Sequence, residues 1–597
     1  MNFLKKYSSL FVIITLAIVL FISIIVSYQE STTFDEKAHI VAGYSYVKYN
    51  DMRLNPEHPP LLKDIAGAPL LLMDIDFPDK NALWTDGVNE QWSLGDEFIN
   101  SNNVDKVTFW SRFPLILIAL LLGFFIFQWT KELAGTVAGL FALVLYSFDP
   151  NVLGHNHYVT TDIGIAAFIF ISFYFFIKFL KKPSWRNTIL AGIFLGLAQL
   201  TKFSAVLLFP FFALVILIYA MSRKKPGFVK TSNLRFRLEN LWNYIGKYVL
   251  IAVICFAAIW ILYYLNTFNM PSDKIDAVAD WALTSKEIGE IAKTVIANVS
   301  GVAFFKPVGA YMLGVAMVFA RVAGGNTYYF LGNVSNDASP LYFPLVFLIK
   351  ETLPFLFLLL FTSLYAFFQI MANVLSRKGN IIKKVWEVLS DYLRTGVAQY
   401  SMFGFIALYS FLSITGNLNI GFRHLFPIMP FLYVLIAKKV FDFLKNIRSE
   451  STRKVFNIIL VVFVIWIVLI PVVSFPSYLS YFNELVGGPK NGYKYVTDSN
   501  VDWGQDLKRL RDWVEENNVD KIRVDYFGGS SPEYYLGDKY ISWHSNYEPE
   551  SGWYAISINF LQGNIHEKRA AGEQDYKWTL DYTPIRVGDS IFVYYVK

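Results

Sequence analysis

Long apolar blocks alternate with short polar stretches from residue 10 to about residue 475. A block of about 17–25 apolar residues is long enough to cross a bilayer as a helix. On that reading spans fall at 10–26, 113–129, 134–148, 163–179, 189–200, 205–221, 248–265, 354–371, 401–414, 425–441 and 456–474. Together they predict about eleven transmembrane helices. Pro210, Pro354, Pro427 and Pro430 are the candidate kink positions. Ser27-Tyr28-Gln29 offers no small-x-small cleavage site, so the first block reads as an uncleaved span.

Two long polar loops interrupt the spans, 28–107 and 266–342. In the first, 38–46 and 61–72 are apolar enough to lie as helices in the membrane interface. Trp84, Trp92 and Trp110 suit headgroup depth. In the second, the apolar stretch 303–320 fits an interfacial helix or a re-entrant piece, and the pattern does not choose between them. After residue 475 the pattern changes. Residues 506–516 read as an amphipathic helix, and 521–527, 553–558 and 590–596 read as strands. The expectation is a mainly α, polytopic membrane domain, 1–475, followed by a small external α/β domain, 476–597.

Composition agrees with this architecture. Of 597 residues 54% are hydrophobic and only 17% charged, too few charges for the surfaces of several soluble domains. The net charge of +6 is no nucleic-acid footprint, because the basic residues lie between apolar blocks. Lys178, Lys181, Lys182 and Arg186 form one such group, and Arg223, Lys224, Lys225, Lys230, Arg235 and Arg237 another. Arg377, Lys378, Lys383 and Lys384, then Lys438, Lys439, Lys445, Arg448, Arg453 and Lys454, follow. Basic loops mark the cytoplasmic side, so the N-terminus is expected inside and the C-terminus outside. No Gly-x-x-x-x-Gly-Lys run offers a nucleotide site. The single cysteine, Cys255, can form no intramolecular disulfide.

Candidate chemistry gathers on the external side. Asp35-Glu36 follows the first span by a few residues. An acidic pair alone reads by default as a solvated turn after a span; the alternative is a general base and its neighbour. Asp162 opens a span, where it can cap the helix and complement its dipole. His155 and His157 precede it; with nearby carboxylates they could hold a divalent cation, but no ligand spacing compels one. Arg112, Lys202 and Arg423 sit at external span ends, against the positive-inside trend. One alone reads as a snorkelling side chain. Three converging on one acidic loop favour an anion site, since a phosphate accepts charge-assisted hydrogen bonds from such groups. His424 adjoins Arg423 and is counted with the substrate.

Asp35-Glu36, then about twenty residues, then His58-Pro59-Pro60-Leu61-Leu62-Lys63 resembles the first external loop of the protein O-mannosyltransferases. These are GT-C glycosyltransferases that draw sugars from polyprenyl-phosphate donors; the lipid A aminoarabinose transferases are a more distant branch. The resemblance covers roughly residues 10–475 and includes no β-trefoil insertion in the second loop. It implies Asp35 as the base, Glu36 as an orienting or acceptor-binding residue, and Asp162 as a second acidic residue facing the donor. For His58 and Lys63 it implies substrate and donor-phosphate contacts. The implied reaction is inverting sugar transfer to an external hydroxyl of a protein, lipid or glycan, at the cytoplasmic membrane and without nucleic acid or soluble nucleotide sugar. A lipid or glycolipid flippase is the alternative, because transport pathways also use intramembrane charges such as Asp162 and Lys202; no inverted repeat supports it.

Overall fold

The computed structural model describes residues 2–223, 233–285, 288–567 and 573–597. Lys224, Lys225 and Lys230 of the charge argument lie outside the described residues. Nine helices among the described residues are long and apolar enough to cross a membrane. Eight coincide with predicted spans: Ser8–Gln29, Val104–Ala134, Asp162–Lys181, Phe203–Ser222, Leu234–Thr267, Leu353–Leu375, Val397–Thr415 and Glu450–Ser474. The ninth, Lys306–Gly324, covers the apolar stretch that the pattern left open.

The other three predicted spans form shorter or more polar helices. Thr136–Ser147 has 12 residues and Trp185–Gln199 has 15. At about 1.5 Å per residue neither covers the ~30 Å of a hydrocarbon core. Met429–Asn446 has 18 residues, but Lys438, Lys439, Asp442 and Lys445 occupy its second half. The short helices are held by close packing. A Cβ on Gly192 would lie 2.7 Å from Cβ of Ile254, and one on Gly196 would lie 2.9 Å from Cβ of Ala258. This small-x-x-x-small face lets Trp185–Gln199 approach the long helix Asn233–Thr267. Prolines also act differently from expectation. Pro354 and Pro430 stand in first turns, where no backbone N–H is needed, whereas the prolines inside helices are Pro114 and Pro471.

The first long loop is not a pair of helices lying in the interface. Phe34–Tyr49 is buried from Glu36 to Tyr46, and Leu61–Gly67 crosses it backbone to backbone. A Cβ on Gly43 would lie 2.2 Å from the Lys63 carbonyl oxygen, and one on Gly67 would lie 2.3 Å from the Gly43 carbonyl carbon. Only glycine on both faces permits this crossing. Along 61–72 the large exposed apolar side chains are Leu71 and Leu72, in the following 3₁₀ turn Ala68–Leu72.

The C-terminal region holds a five-stranded sheet. A separate hairpin in the second loop pairs β1 (Tyr328–Phe330) with β2 (Asn333–Ser335). The sheet consists of β3 (Ile522–Asp525), β4 (Tyr540–Ser542), β5 (Gly552–Ser557), β6 (Ile585–Val587) and β7 (Ile591–Val596). Its order is β4-β3-β5-β7-β6, with β3 parallel to both neighbours and β7 antiparallel to both of its own. The three predicted strands are β3, β5 and β7; the three-residue edge strands carry too short a pattern to be read. Leu507–Glu516 is the predicted amphipathic helix.

Candidate active site

Asp35 stands in the first turn of Phe34–Tyr49. Glu36 caps that helix by accepting from Thr33 N at 2.8 Å and Thr33 Oγ1 at 3.0 Å. The Asp35 side chain is 26% exposed and accepts a hydrogen bond from Arg423 Nη1 at 2.8 Å. Arg423 lies on the 3₁₀ turn Phe422–Leu425, which Gly421 enters at φ 146°. A Cβ there would lie 2.3 Å from Ser499 Oγ, so the position admits only glycine. The same Nη1 lies 3.6 Å from Asp162 Oδ2, and Lys202 Nζ donates to Asp162 Oδ1 at 3.0 Å.

Asp35, Arg423, Asp162 and Lys202 thus form one chain of alternating charge, drawn from four distant parts of the sequence. Two of its atoms are buried without a hydrogen-bond partner, Asp162 Oδ2 and Arg423 Nε. Both ring nitrogens of His155 are also buried and unpartnered. Orphaned buried polar atoms each cost about 1–3 kcal/mol. Buried polar groups are ordinarily paired, so these four atoms leave unused hydrogen-bonding capacity beside the ion-pair chain. Burial pushes His155 down to about 3 despite the opposing charge of Asp162, so it is an uncharged ring at neutral pH.

The supports of this chain come from the predicted motif. Val159 N donates to Glu36 Oε1 at 2.9 Å, and the Val159 carbonyl meets His39 Nδ1 at 2.9 Å. These contacts tie the loop before Asp162 to the helix bearing Asp35. Leu61 N, just after Pro59-Pro60, donates to the Leu200 carbonyl at 3.2 Å and anchors the turn that carries Lys202.

Two residues expected at the donor phosphate are fully engaged elsewhere. Arg112 donates from Nε to Glu36 Oε1 at 2.8 Å and from Nη2 to Glu36 Oε2 at 2.6 Å. Its remaining N–H groups reach the carbonyls of Ser27, Glu30 and Ser31. An arginine has five N–H groups and all are used, so none is left for a phosphate. Burial alone would raise the Glu36 carboxyl, but the Arg112 guanidinium overrides it and holds the group below its usual range. Lys63 Nζ donates within a cage of Tyr46 OH, the carbonyls of Asn55 and His58, and Asn55 Oδ1. Burial pulls it down to about 7 against the pull of Asp64 and Glu57. In both cases the low-polarity interior recruited the cation to satisfy buried oxygens.

The two predicted histidines sit beside the chain. His424 follows Arg423, and burial, Lys202 and Arg423 together hold it well below the usual imidazole range. His58 packs edge-on against His39 with ring centroids 5.4 Å apart. Burial and the neighbouring His39 keep it neutral as well. Of the two histidines considered for a divalent cation, His157 pairs its Nε2 with Glu30 Oε2 at 2.9 Å. Among the described residues no group of three or more His, Cys, Asp or Glu is placed to hold a metal ion.

Sequence reasoning missed the stretch Asp498 to Asp506. Trp503 covers the Arg423 guanidinium, with the ring centroid 4.1 Å from Cζ, and Asp498 faces the same cation. The available signal was an Asp at every fourth position, 498, 502 and 506, around a Trp-Gly pair in a stretch with no helical or strand period.

Fold and site define a polytopic membrane protein with an ion-paired acidic centre where its helices meet the irregular segment 498–506 of the C-terminal region, and the chain resembles the polyprenyl-phosphate-dependent GT-C glycosyltransferases. Residues 104–262 match the family model described as dolichyl-phosphate-mannose-protein mannosyltransferase. That segment carries Arg112, Asp162 and Lys202. No curated protein matches the chain by sequence. Among solved structures, the apo oligosaccharyltransferase of Archaeoglobus fulgidus is similar at 14% identity and a TM-score of 0.44. The match covers 90% of this chain, which spans only 64% of that protein's length. ArnT from Cupriavidus metallidurans in the apo state is similar at 11% identity and a TM-score of 0.32, covering 98% of each chain. The same protein bound to undecaprenyl phosphate gives 11% and 0.28, covering 99% of this chain and 98% of that one.

Proposed function

We propose that the protein is a glycosyltransferase that moves a sugar from a polyprenyl-phosphate donor to an external hydroxyl acceptor, with inversion, and with Asp35 as the general base. The observation that carries this reading is the Asp35–Arg423–Asp162–Lys202 chain. It sets a partly exposed carboxylate, Asp35, against Arg423, which has an unused donor, and links that cation through Asp162 to a second one, Lys202. Lys202 and Arg423 bind the donor phosphate; Asp162 holds the two cations on either side of it and faces the sugar. A phosphate that draws on Arg423 loosens its hold on Asp35 and frees the carboxylate for the acceptor.

Asp35 then takes the acceptor's hydroxyl proton as the oxygen bonds to the anomeric carbon. The bond from that carbon to the phosphate oxygen breaks on the opposite face, and polyprenyl phosphate departs with the electron pair. Lys202 and Arg423 stabilise the charge that develops on it. Glu36 and Arg112 serve as the scaffold of this centre. The neutral rings of His58, His155 and His424 offer hydrogen bonds to hydroxyl groups without competing for the phosphate. The membrane is the cytoplasmic one, with the N-terminus inside and the site outside.

The test is sugar transfer from a purified polyprenyl-phosphate-sugar by the full chain in nanodiscs, with donor binding measured separately. Asp35→Asn keeps the shape and removes the basicity. It is expected to lose about 10²–10⁴-fold in turnover, the usual worth of a positioned acid–base group, with donor binding retained. Near wild-type turnover would show that the base is another residue. A wild-type protein that moves lipid between leaflets and never transfers sugar would replace this reading with the flippase.

A further inference from the structure

Arg423 is held in place from outside the membrane helices. Trp503 lies in the irregular segment between the last span and the Leu507–Glu516 helix, and it is 1% exposed. Besides covering Arg423, its ring meets Tyr158 edge-on at 5.6 Å and lies 5.9 Å from the ring of His155. The pocket around the guanidinium therefore has one aromatic wall, and that wall belongs to the C-terminal region.

The backbone of the same segment registers both partners of the ion pair. Phe34 N donates to the Trp503 carbonyl at 2.9 Å, and Ser31 N donates to the Gln505 carbonyl at 3.1 Å. Ser31 Oγ donates to the Gly504 carbonyl at 2.7 Å. These bonds fix the approach of the chain to Asp35. On the other side, Phe422 N donates to Asn500 Oδ1 at 2.9 Å and Ser499 Oγ donates to the Ile420 carbonyl at 2.8 Å. These bonds fix the turn that carries Arg423. Gly504, at φ 93°, lets the segment turn where a Cβ would lie 2.3 Å from Gly528 Cα.

We propose that Trp503 is the positioning residue of the Asp35–Arg423 pair, so that the C-terminal region is an integral part of the active centre. The proposal rests on the reading of Arg423 as a donor-phosphate cation. The physical argument concerns orientation. Arg423 Nε has no partner, so hydrogen bonds alone leave the guanidinium free to tilt from Asp35 toward Asp162. The Trp503 ring lies over Cζ at 4.1 Å, and the cation–π attraction opposes any tilt that carries Cζ off the ring, so Nη1 stays at Asp35. An aliphatic side chain of similar bulk fills the space without this attraction.

The experiment is a double-mutant cycle on the full chain in nanodiscs, with kcat and donor KM measured separately. Trp503→Phe keeps an aromatic face and is expected to stay within about threefold of wild type, whereas Trp503→Leu loses about tenfold or more in kcat/KM for the donor, the span of a desolvated cation–π contact. In the Arg423→Gln background Trp503→Leu is expected to cost less than about twofold more, because nothing remains to aim. Full additivity of the two losses would mean a merely structural tryptophan and would overturn the proposal. If Trp503→Leu does not insert, the cycle is run with Trp503→Met against Arg423→Gln, since each of these also removes its half of the contact, and additive losses there overturn the proposal equally. Wild-type donor use by Arg423→Gln alone would instead remove the phosphate reading. An impaired Arg423→Gln beside a silent Trp503→Leu would remove only the positioning role.

Discussion

The sequence reads Arg112 and Arg423 alike, as arginines at span ends, and the structure predicts opposite consequences for removing them. In the wild type the Arg112 and Glu36 side chains have no exposed surface. Arg112→Ala strips Glu36 of two charge-assisted bonds and leaves three carbonyls, of Ser27, Glu30 and Ser31, without donors. Breaking a buried pair from one side costs about 3–5 kcal/mol, mostly from the charge left behind. Glu36→Gln is expected to destabilise by a similar amount, because it strands the guanidinium instead. The double variant, Arg112→Met with Glu36→Gln, should cost less than the sum, since no unpaired charge remains. The assay is SDS titration of the purified chain in mixed micelles, followed by tryptophan fluorescence. Acid sensitivity supplies a second readout. The Glu36 carboxyl is held below its unfolded value of about 4.3, so its contribution is fully present above that pH and lost as pH falls through the folded value. In Arg112→Met the carboxyl is buried without its cation and shifts upward, so lowering the pH should stabilise that variant. An Arg112→Ala protein with an unchanged unfolding midpoint but no donor binding would refute the reasoning and return Arg112 to the phosphate.

Arg423→Lys is expected to restore only part of the donor affinity lost in Arg423→Ala, because a point charge replaces a planar fork; equal affinity of Lys and Arg in a lipid-phosphate binding assay would count against the phosphate site. Gly67→Ala should lower the thermal midpoint and activity together by forcing Phe34–Tyr49 away from Leu61–Gly67, at about 1–3 kcal/mol or more for the overpacked crossing; a neutral effect in a thermal-shift measurement would show that the crossing is loose. Accessibility tags after Lys6 and within 438–454 should report the cytoplasm, and a tag after Lys597 the outside; a cytoplasmic C-terminus would break the topology.

What the sequence determined by itself follows from the solvent. A run of some twenty apolar residues has one stable form in a bilayer, a helix with every backbone bond internal, so eight spans were legible as runs. The acidic pair and the His-Pro-Pro motif were legible as a pattern, and the structure brings Asp35 together with Asp162, Lys202 and Arg423. Tertiary structure decided the division of labour among residues of one type. In sequence Arg112 and Arg423 are alike; in the fold one is saturated by Glu36 and three carbonyls, and the other holds Asp35 through Nη1 and keeps an unpartnered Nε. Lys63 and Lys202 divide the same way, one caged by oxygens and one 19% exposed beside Asp162. Trp503 was invisible as a site residue because its partner lies eighty positions away and their contact has no sequence period. Short-range chemistry is written along the chain, whereas which buried polar atoms go unpaired depends on distances that only the packed molecule sets.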